Sequence, residues 1–228
     1  MFTFLLLTTL RLLGAAPELD RVEPFPAEID YSLPLGGEAY VYLNPQEAAT
    51  TRVDSPDAYH WYGLCENTDT VLLYPVDWTA YYRSAPEAGL IPRLEPTDDQ
   101  IRLLIGSRVP LRTGAISGRF YDGYESAFGH APALNRPLLN ELGLALLGTD
   151  DNTELWLGNQ YGIQLLSAGD LGVASHAVFA GDLDGDGRRD YVLSYGERAA
   201  TEVLYLSSAA APGKLVAPVA TCNYHYWE

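Results

Sequence analysis

Four aspartates lie close together in the C-terminal part of the chain, at Asp182, Asp184, Asp186 and Asp190. Ca²⁺ is a hard cation that takes about six to eight oxygen ligands, carboxylates foremost, at about 2.3–2.6 Å. Carboxylates at the first, third, fifth and ninth positions of a loop can converge on one ion if the backbone curls around it. The backbone carbonyl of Arg188, at the seventh position, is the natural further ligand. The spacing therefore predicts a Ca²⁺ site in this acidic loop.

Two features distinguish a metal loop from an ordinary turn. Gly185 and Gly187 permit the positive φ angles that a tightly curled loop requires. An EF-hand needs a glutamate at the twelfth position, where this chain has Leu193, so the loop is not an EF-hand. A solvated acidic turn is the alternative, but four adjacent carboxylates repel one another without a cation. Because all of the ligands come from one loop, a structural ion is favoured over a catalytic one.

The loop is flanked by two short apolar segments, residues 177–181 and 191–195, which are predicted strands. With these flanks, residues 179–193 resemble the calcium-binding FG-GAP/VCBS-type repeat of integrin propellers and of many bacterial secreted proteins. The resemblance implies that the four aspartates are the side-chain ligands of Ca²⁺, within a hairpin over residues 177–195. It covers only a small part of the chain, so it describes the loop better than the whole fold.

The remainder of the chain is predicted to be rich in β-structure, because apolar and aromatic runs of strand length alternate with turn-forming residues. Residues 138–147 fit either a short helix or a buried strand, and the turn signal that follows them favours the strand. A full β-propeller needs roughly four to eight blades, and one Ca²⁺ motif without a repeat disfavours it. We expect an all-β fold: an antiparallel sandwich or an irregular barrel with one Ca²⁺-binding hairpin.

Length and charge exclude several classes of protein. The chain has 228 residues, and we expect a single all-β domain over residues 38–228. Its net charge of −16 argues against binding to nucleic acid and to anionic lipid. The sequence has no phosphate-binding loop, dinucleotide fingerprint or nucleophile elbow. Its four histidines are scattered singly, which offers no zinc pattern.

Residues 1–16 have the character of a signal peptide, an apolar run followed by small residues, with cleavage predicted after Ala16. Arg11 interrupts the apolar run, which departs from the usual pattern. Residues 17–37 are rich in proline and acidic residues and are predicted to be an extended segment. We therefore expect a secreted or periplasmic monomer with no membrane insertion after cleavage.

In an exported protein, the two cysteines predict a Cys65–Cys222 disulfide, with two separate buried thiols as the alternative.

These features favour a calcium-binding module with a non-catalytic binding or structural role at the cell envelope and an unknown protein or glycan partner. The alternative is a Ca²⁺-stabilised hydrolase acting on polysaccharide or peptidoglycan. Such an enzyme needs two carboxylates flanking a sugar, and the sequence singles out no such pair. Trp61-Tyr62 and Asp77-Trp78 are candidates for a sugar-stacking or peptide-binding face, although ordinary packing within a sheet is the favoured explanation of these aromatic residues.

Overall fold

The computed structural model describes residues 39–43, 56–67, 70–76, 82–84, 92–94, 100–121, 141–149, 152–169, 176–195 and 199–225. The predicted signal peptide over residues 1–16, the extended segment over residues 17–37 and the pair Asp77-Trp78 lie outside these ranges. In the described part of the chain, no helix has the length and apolar character needed to cross a membrane.

The described segments form fifteen β-strands and one short 3₁₀ turn, Pro56–Ala58. The strands are β1 (Tyr40–Leu43), β2 (His60–Asn67), β3 (Thr70–Pro75), β4 (Tyr82–Ser84), β5 (Pro92–Leu94), β6 (Ile101–Ser107), β7 (Gly114–Ile116), β8 (Gly118–Phe120), β9 (Leu144–Thr149), β10 (Asn152–Asn159), β11 (Gly162–Gly169), β12 (His176–Gly181), β13 (Asp190–Tyr195), β14 (Ala199–Leu206) and β15 (Ala217–His225).

The strands pair in antiparallel sheets. The first sheet has the order β1-β6-β2-β3-β7, the central sheet β15-β14-β13-β12-β8 and the third sheet β11-β10-β9, while β4 and β5 form a separate pair. In the part of the chain that the structure describes, the sheets do not close into a barrel. The predicted all-β sandwich is therefore confirmed, and the described sheets do not support the barrel alternative.

The central sheet packs against a different sheet on each of its faces. On one face, Phe179 and Val192 lie in a buried cluster with Leu64 and Leu73 of the first sheet. On the other face, Leu193 lies in a second cluster with residues of the third sheet, including Leu144, Leu155 and Leu157. The fold is therefore a three-layer stack of sheets. Because both faces of the central sheet are covered, the apolar side chains on both faces are removed from water. This burial of apolar surface is the dominant stabilising contribution in such a fold.

Strand β13 runs through the middle of this stack, and all six of its residues are buried. Successive side chains of a strand point to opposite faces. Accordingly, Val192 packs towards the first sheet, and Tyr191 and Leu193 pack towards the third. A strand that is covered on both sides needs a continuous apolar run rather than an alternating one. This position in the fold explains why the segment after the acidic loop is almost uninterruptedly apolar.

Within the ambiguous segment over residues 138–147, residues 144–147 belong to a strand, as predicted, and residues 141–143 form the turn before it. β9 begins at Leu144, directly after Gly143, whose φ angle is +79°. A Cβ atom at Gly143 would lie 2.3 Å from the carbonyl oxygen of Gly158, so only glycine fits this close approach. Residues 138–140 lie outside the described ranges.

The Cys65–Cys222 disulfide predicted from the sequence is not formed, and both residues are buried thiols. Cys222 packs in the same core cluster as Leu64, between the first and central sheets. Cys65 pairs with Ile101 of β6, which packs in a separate cluster on the opposite face of the first sheet, so Cys65 lies on that face and away from Cys222. Two cysteines whose Cβ vectors point apart cannot be bridged without moving the backbone. The alternative of two separate buried thiols is the one that the structure adopts.

The aromatic pair Trp61-Tyr62 is also part of the core. Trp61 is 3% exposed and Tyr62 is 5% exposed. Trp61 packs with Val41 and Leu104 on the outer face of the first sheet, whereas Tyr62 faces the central sheet. The hydroxyl of Tyr62 accepts a hydrogen bond from the backbone N–H of Leu111 at 3.0 Å. These two rings are therefore sheet aromatics and do not form a sugar-stacking surface.

Candidate metal centre

The acidic loop closes the hairpin between β12 and β13. Gly181, the last residue of β12, pairs with Asp190, the first residue of β13. The backbone N–H of Asp182 donates to the carbonyl of Ser117 at 2.8 Å, which ties the start of the loop to the residue directly before β8. A Cβ atom at Gly181 would lie 2.5 Å from both the Ser117 carbonyl oxygen and the Gly118 Cα. Glycine at position 181 thus allows the two strands to approach and fixes where the loop begins.

Asp182 organises the curl of the loop. Its Oδ1 accepts the backbone N–H of Gly185 at 2.9 Å, and its Oδ2 accepts that of Gly187 at 3.0 Å. The φ angles of Gly185 and Gly187 are +79° and +80°, in the left-handed region that favours glycine. The curled backbone predicted from the two glycines is therefore present. Asp184 adds a further turn, since its Oδ1 accepts the N–H of Asp186 at 3.2 Å.

Asp190 is the buried member of the loop, with no exposed surface. Its two carboxylate oxygens accept backbone N–H groups from Leu183 and Ser207, both at 2.7 Å. Burial raises the pKa of Asp190 to about 7, and the neighbouring Asp184 carboxylate acts in the same direction. The hydrogen bonds from Ser207 and Leu183 oppose this rise without cancelling it. The ionised form of Asp190 is therefore short of compensating positive charge.

Asp182, Asp184 and Asp190 form an acidic triad. Each of them offers a carboxylate oxygen, and these oxygens all lie within 4.8 Å of one another. Two ligands of one Ca²⁺ at about 2.3–2.6 Å from the ion are at most about 5 Å apart. The separations within the triad are compatible with a shared ion, so these three carboxylates could hold a metal.

Asp186 is not part of the triad. Its Oδ2 accepts hydrogen bonds from Arg188 Nε at 2.9 Å, from Arg188 Nη2 at 2.7 Å and from the Ser207 hydroxyl at 2.9 Å. Burial by itself raises the pKa of Asp186, but the bonds from the Arg188 backbone N–H and the Ser207 hydroxyl outweigh it and lower the pKa. In this arrangement Asp186 ties the loop to the end of β14. The roles of Asp186 and of the Arg188 carbonyl as metal ligands stay predictions.

Two serines at the end of β14 complete the surroundings of the loop, and no motif in the sequence singled them out. Ser207 binds Asp190 and Asp186, as described above, and the Ser208 hydroxyl donates to Asp184. They lie 17 to 24 residues away from these aspartates. The only feature of the sequence that could have pointed to them is the presence of two small hydroxyl residues directly after a strand. Because β14 pairs with β13, the end of β14 reaches the start of β13 and delivers both serines to the loop.

The loop also influences its wider surroundings. The pKa of Tyr40 is raised by burial first and then by the negative charges of Asp184 and Asp190. This is the expected effect of an uncompensated acidic centre, since a second negative charge nearby is disfavoured. No protein-family model, no curated protein and no solved structure matches the chain. The resemblance of the loop to an FG-GAP/VCBS-type repeat therefore stays a prediction from its residues.

Proposed function

We propose that the loop of residues 182–190 binds Ca²⁺ as a structural ion. The observation that carries the proposal is the acidic triad of Asp182, Asp184 and Asp190, with oxygens within 4.8 Å of one another. One of the three, Asp190, has no exposed surface. A cation between these groups compensates a buried carboxylate that is otherwise penalised by desolvation. The ion would then fix the hairpin between β12 and β13 at the middle of the three-layer stack.

The donor set favours Ca²⁺ over other cations. The triad offers only carboxylate oxygens, which suit hard cations, whereas zinc and copper sites use histidine and cysteine. Mg²⁺ requires octahedral geometry at about 2.0–2.1 Å and gives up its water reluctantly. A glycine-containing loop with several carboxylates matches the adaptable coordination of Ca²⁺ better. The resemblance to the FG-GAP/VCBS-type repeat supports the same choice, and it adds Asp186 and the Arg188 carbonyl as further ligands.

We further propose that the protein is a secreted or periplasmic module with a non-catalytic binding or structural role at the cell envelope. The leader-like residues 1–16 support this location. Extracellular Ca²⁺ modules bind with dissociation constants of roughly 10⁻⁴–10⁻³ M, which suits a small site of this kind. A hydrolase acting on polysaccharide needs two carboxylates at the sugar. The cavity beside the loop is lined, among the residues that the structure describes, by one carboxylate, Glu141.

Thermal unfolding with and without the ion tests the proposal. A ligand present at about 100 times its dissociation constant adds about 2.7 kcal/mol to the stability of the folded state. For a domain of this size, that corresponds to a rise in melting temperature on the order of 5–10 °C. We expect this rise in Ca²⁺, a much smaller one in Mg²⁺, and a return to the lower value when a chelator is added.

Two variants make the measurement specific to the loop. Asp184→Asn removes one carboxylate of the triad at a partly exposed position, so it should abolish most of the Ca²⁺-dependent rise while leaving the protein folded. Asp57→Asn makes the same change at an exposed position in the 3₁₀ turn and should leave the rise intact. An equal rise in the Asp184→Asn and Asp57→Asn variants would contradict the proposed site.

A further inference from the structure

A cavity of about 870 Å³ lies beside the acidic loop, on the side of the third sheet. Its walls come from four segments that are distant in sequence. They are residues 141–143 before β9, residues 157–161 at the end of β10 and in the turn after it, residues 187–189 of the loop together with Tyr191 of β13, and residues 214–216 before β15. This volume falls within the range of small-molecule sites, which is about 300–1,000 Å³.

The walls of the cavity are held in place by buried hydrogen bonds. Gln164 of β11 is only 8% exposed, and its Oε1 accepts the backbone N–H groups of Leu215 at 2.7 Å and Val216 at 3.1 Å. Its Nε2 donates to the carbonyl of Val216 at 3.0 Å. The Tyr191 hydroxyl donates to the carbonyl of Leu142 at 3.1 Å. The segments that carry the lining residues are therefore fixed to the third and central sheets.

The charge of the cavity is opposite to that of the chain. The chain as a whole has 14 basic and 30 acidic residues. The described lining nevertheless contains three cations, Arg188, Arg189 and Lys214, and one carboxylate, Glu141. A basic cavity in a strongly acidic protein attracts a small anion and concentrates it at one place, because field lines focus in a concave site.

The two arginines are pre-oriented at the rim. Arg188 Nη2 binds both the Asp186 carboxylate at 2.7 Å and the Ser207 carbonyl at 2.8 Å, which fixes the plane of its guanidinium. Arg189 Nη1 makes a long contact, 3.5 Å, with the carbonyl of Glu141, and the Arg189 side chain also interacts with the Tyr191 hydroxyl. Among the residues that the structure describes, no ion pair involves Arg189 or Lys214. These two side chains are thus the cations best placed to meet a ligand.

An exposed aromatic ring completes the cavity. Tyr161 stands at the turn between β10 and β11 and is 75% exposed. The turn is held by the Tyr161 backbone N–H, which donates to Asn159 Oδ1 at 2.8 Å. Gln160 lies beside it in the lining. A flat aromatic face pairs with the C–H groups of a sugar ring, and amide side chains both donate to and accept from hydroxyl groups.

We propose that this cavity is a binding site for an acidic saccharide, a sugar that carries a carboxylate. Arg189 and Lys214 bind the carboxylate, Tyr161 stacks on the ring, and the amide side chains at the turn bind hydroxyl groups. Cations alone would suit an acidic peptide equally well. The combination of an exposed tyrosine with adjacent amides favours the hydroxyl-rich ligand. The site uses cations of the protein and does not depend on an ion bound to the acidic triad.

Calorimetric titration of the purified protein with trigalacturonate and with the neutral trisaccharide maltotriose tests this inference. We expect trigalacturonate to bind and maltotriose to bind at least about tenfold more weakly, because the carboxylates provide charge-assisted hydrogen bonds. Raising the salt concentration should weaken the binding of trigalacturonate. The titration is carried out in metal-free buffer and repeated in Ca²⁺. If a bridging ion mediates the binding, trigalacturonate will bind in Ca²⁺ and will not bind in the metal-free buffer.

Two variants and one control locate the site. Arg189→Gln with Lys214→Gln, and separately Tyr161→Ala, should each weaken the binding of trigalacturonate by at least about tenfold. Arg108→Gln removes a cation from the first sheet, where Arg108 lies over the ring of Tyr59, and should change the affinity less than twofold. Circular dichroism confirms that each variant is folded.

Several outcomes would overturn the inference. They are the absence of trigalacturonate binding in both buffers, binding seen only in Ca²⁺, and equal affinity in the double variant and in Arg108→Gln. Binding of an acidic peptide without binding of trigalacturonate would assign the cavity to the other class of ligand and would also overturn it. The Ca²⁺-dependent rise in melting temperature is measured independently of saccharide binding. None of these outcomes therefore bears on the proposed Ca²⁺ site.

Discussion

Ionisation of Asp190 should make the metal-free protein less stable as the pH rises. Burial raises the pKa of this carboxyl from its ordinary value of 3.8 to about 7 in the folded chain. Below about pH 4, both the folded and the unfolded chain hold the proton, and full stability is present. Between about pH 4 and pH 7, the unfolded chain releases the proton while the folded chain keeps it. The free energy of unfolding therefore falls through this window and levels off above it.

The size of the effect follows from the pKa difference between the two states. A rise from 3.8 to about 7 is roughly three pKa units. At about 1.4 kcal/mol for each unit, ionisation of Asp190 removes about 4 kcal/mol of stability. This is a large part of the roughly 5–15 kcal/mol that stabilises a typical domain. A Ca²⁺ ion on the triad should abolish the fall, because it compensates the charge as it forms.

Urea unfolding at a series of pH values between 4 and 8, in metal-free buffer, measures this effect in the wild type and in Asp190→Asn. The asparagine keeps one acceptor, so one of the N–H groups of Leu183 and Ser207 loses its partner. That loss lowers stability by about 1–3 kcal/mol at every pH. The informative quantity is therefore the change with pH. Relative to the variant, the wild type should lose about 4 kcal/mol between pH 4 and pH 8.

The exposed Asp57→Asn variant serves as the control and should follow the pH dependence of the wild type. If Asp190→Asn also follows the wild type in parallel, the buried carboxylate carries no penalty on ionisation and the reasoning is refuted. If the wild type becomes more stable between pH 4 and pH 7 relative to Asp190→Asn, the two N–H hydrogen bonds outweigh desolvation, and the sign of the pKa shift is reversed.

Three further expectations come from the packing. Gly181→Ala should lower the free energy of unfolding by about 1–3 kcal/mol, since its Cβ would overlap the neighbouring strand; urea unfolding measures the loss. Cys65 and Cys222 should be protected from a thiol reagent in the folded protein, and both should react in denaturant without reductant. Tyr195→Phe should lower stability by about 1–3 kcal/mol, because it removes the buried hydroxyl contact with Tyr205 at 2.9 Å; thermal unfolding measures it.

Each of these has a clear contrary result. An unchanged unfolding free energy for Gly181→Ala would mean that β8 and β12 do not approach as closely as described. The absence of reactive thiols in denatured, unreduced protein would restore the Cys65–Cys222 disulfide. A Tyr195→Phe variant as stable as the wild type would show that the paired hydroxyls make no net contribution.

The amino-acid sequence by itself determined the local parts of this protein. Residues 177–181 and 191–195 are strands, and Gly185 and Gly187 curl the loop between them. The triad could also be anticipated, because Asp182, Asp184 and Asp190 lie within nine residues of one another. Local spacing and local backbone conformation are sufficient to bring such groups together. The all-β class follows in the same way from short apolar runs between turns.

The tertiary structure alone decided what depends on contacts between distant segments. The burial of Asp190, and with it the raised pKa, arises because β13 is covered on both faces by two other sheets. Asp186 lies outside the triad, and Ser207, at the end of another strand, binds it. The two cysteines remain apart because Cys222 packs between the first and central sheets, whereas Cys65 lies on the opposite face of the first sheet. Sequence patterns report the conformation of neighbouring residues, whereas sheet order and the choice of covering layer are set by packing between segments far apart in the chain.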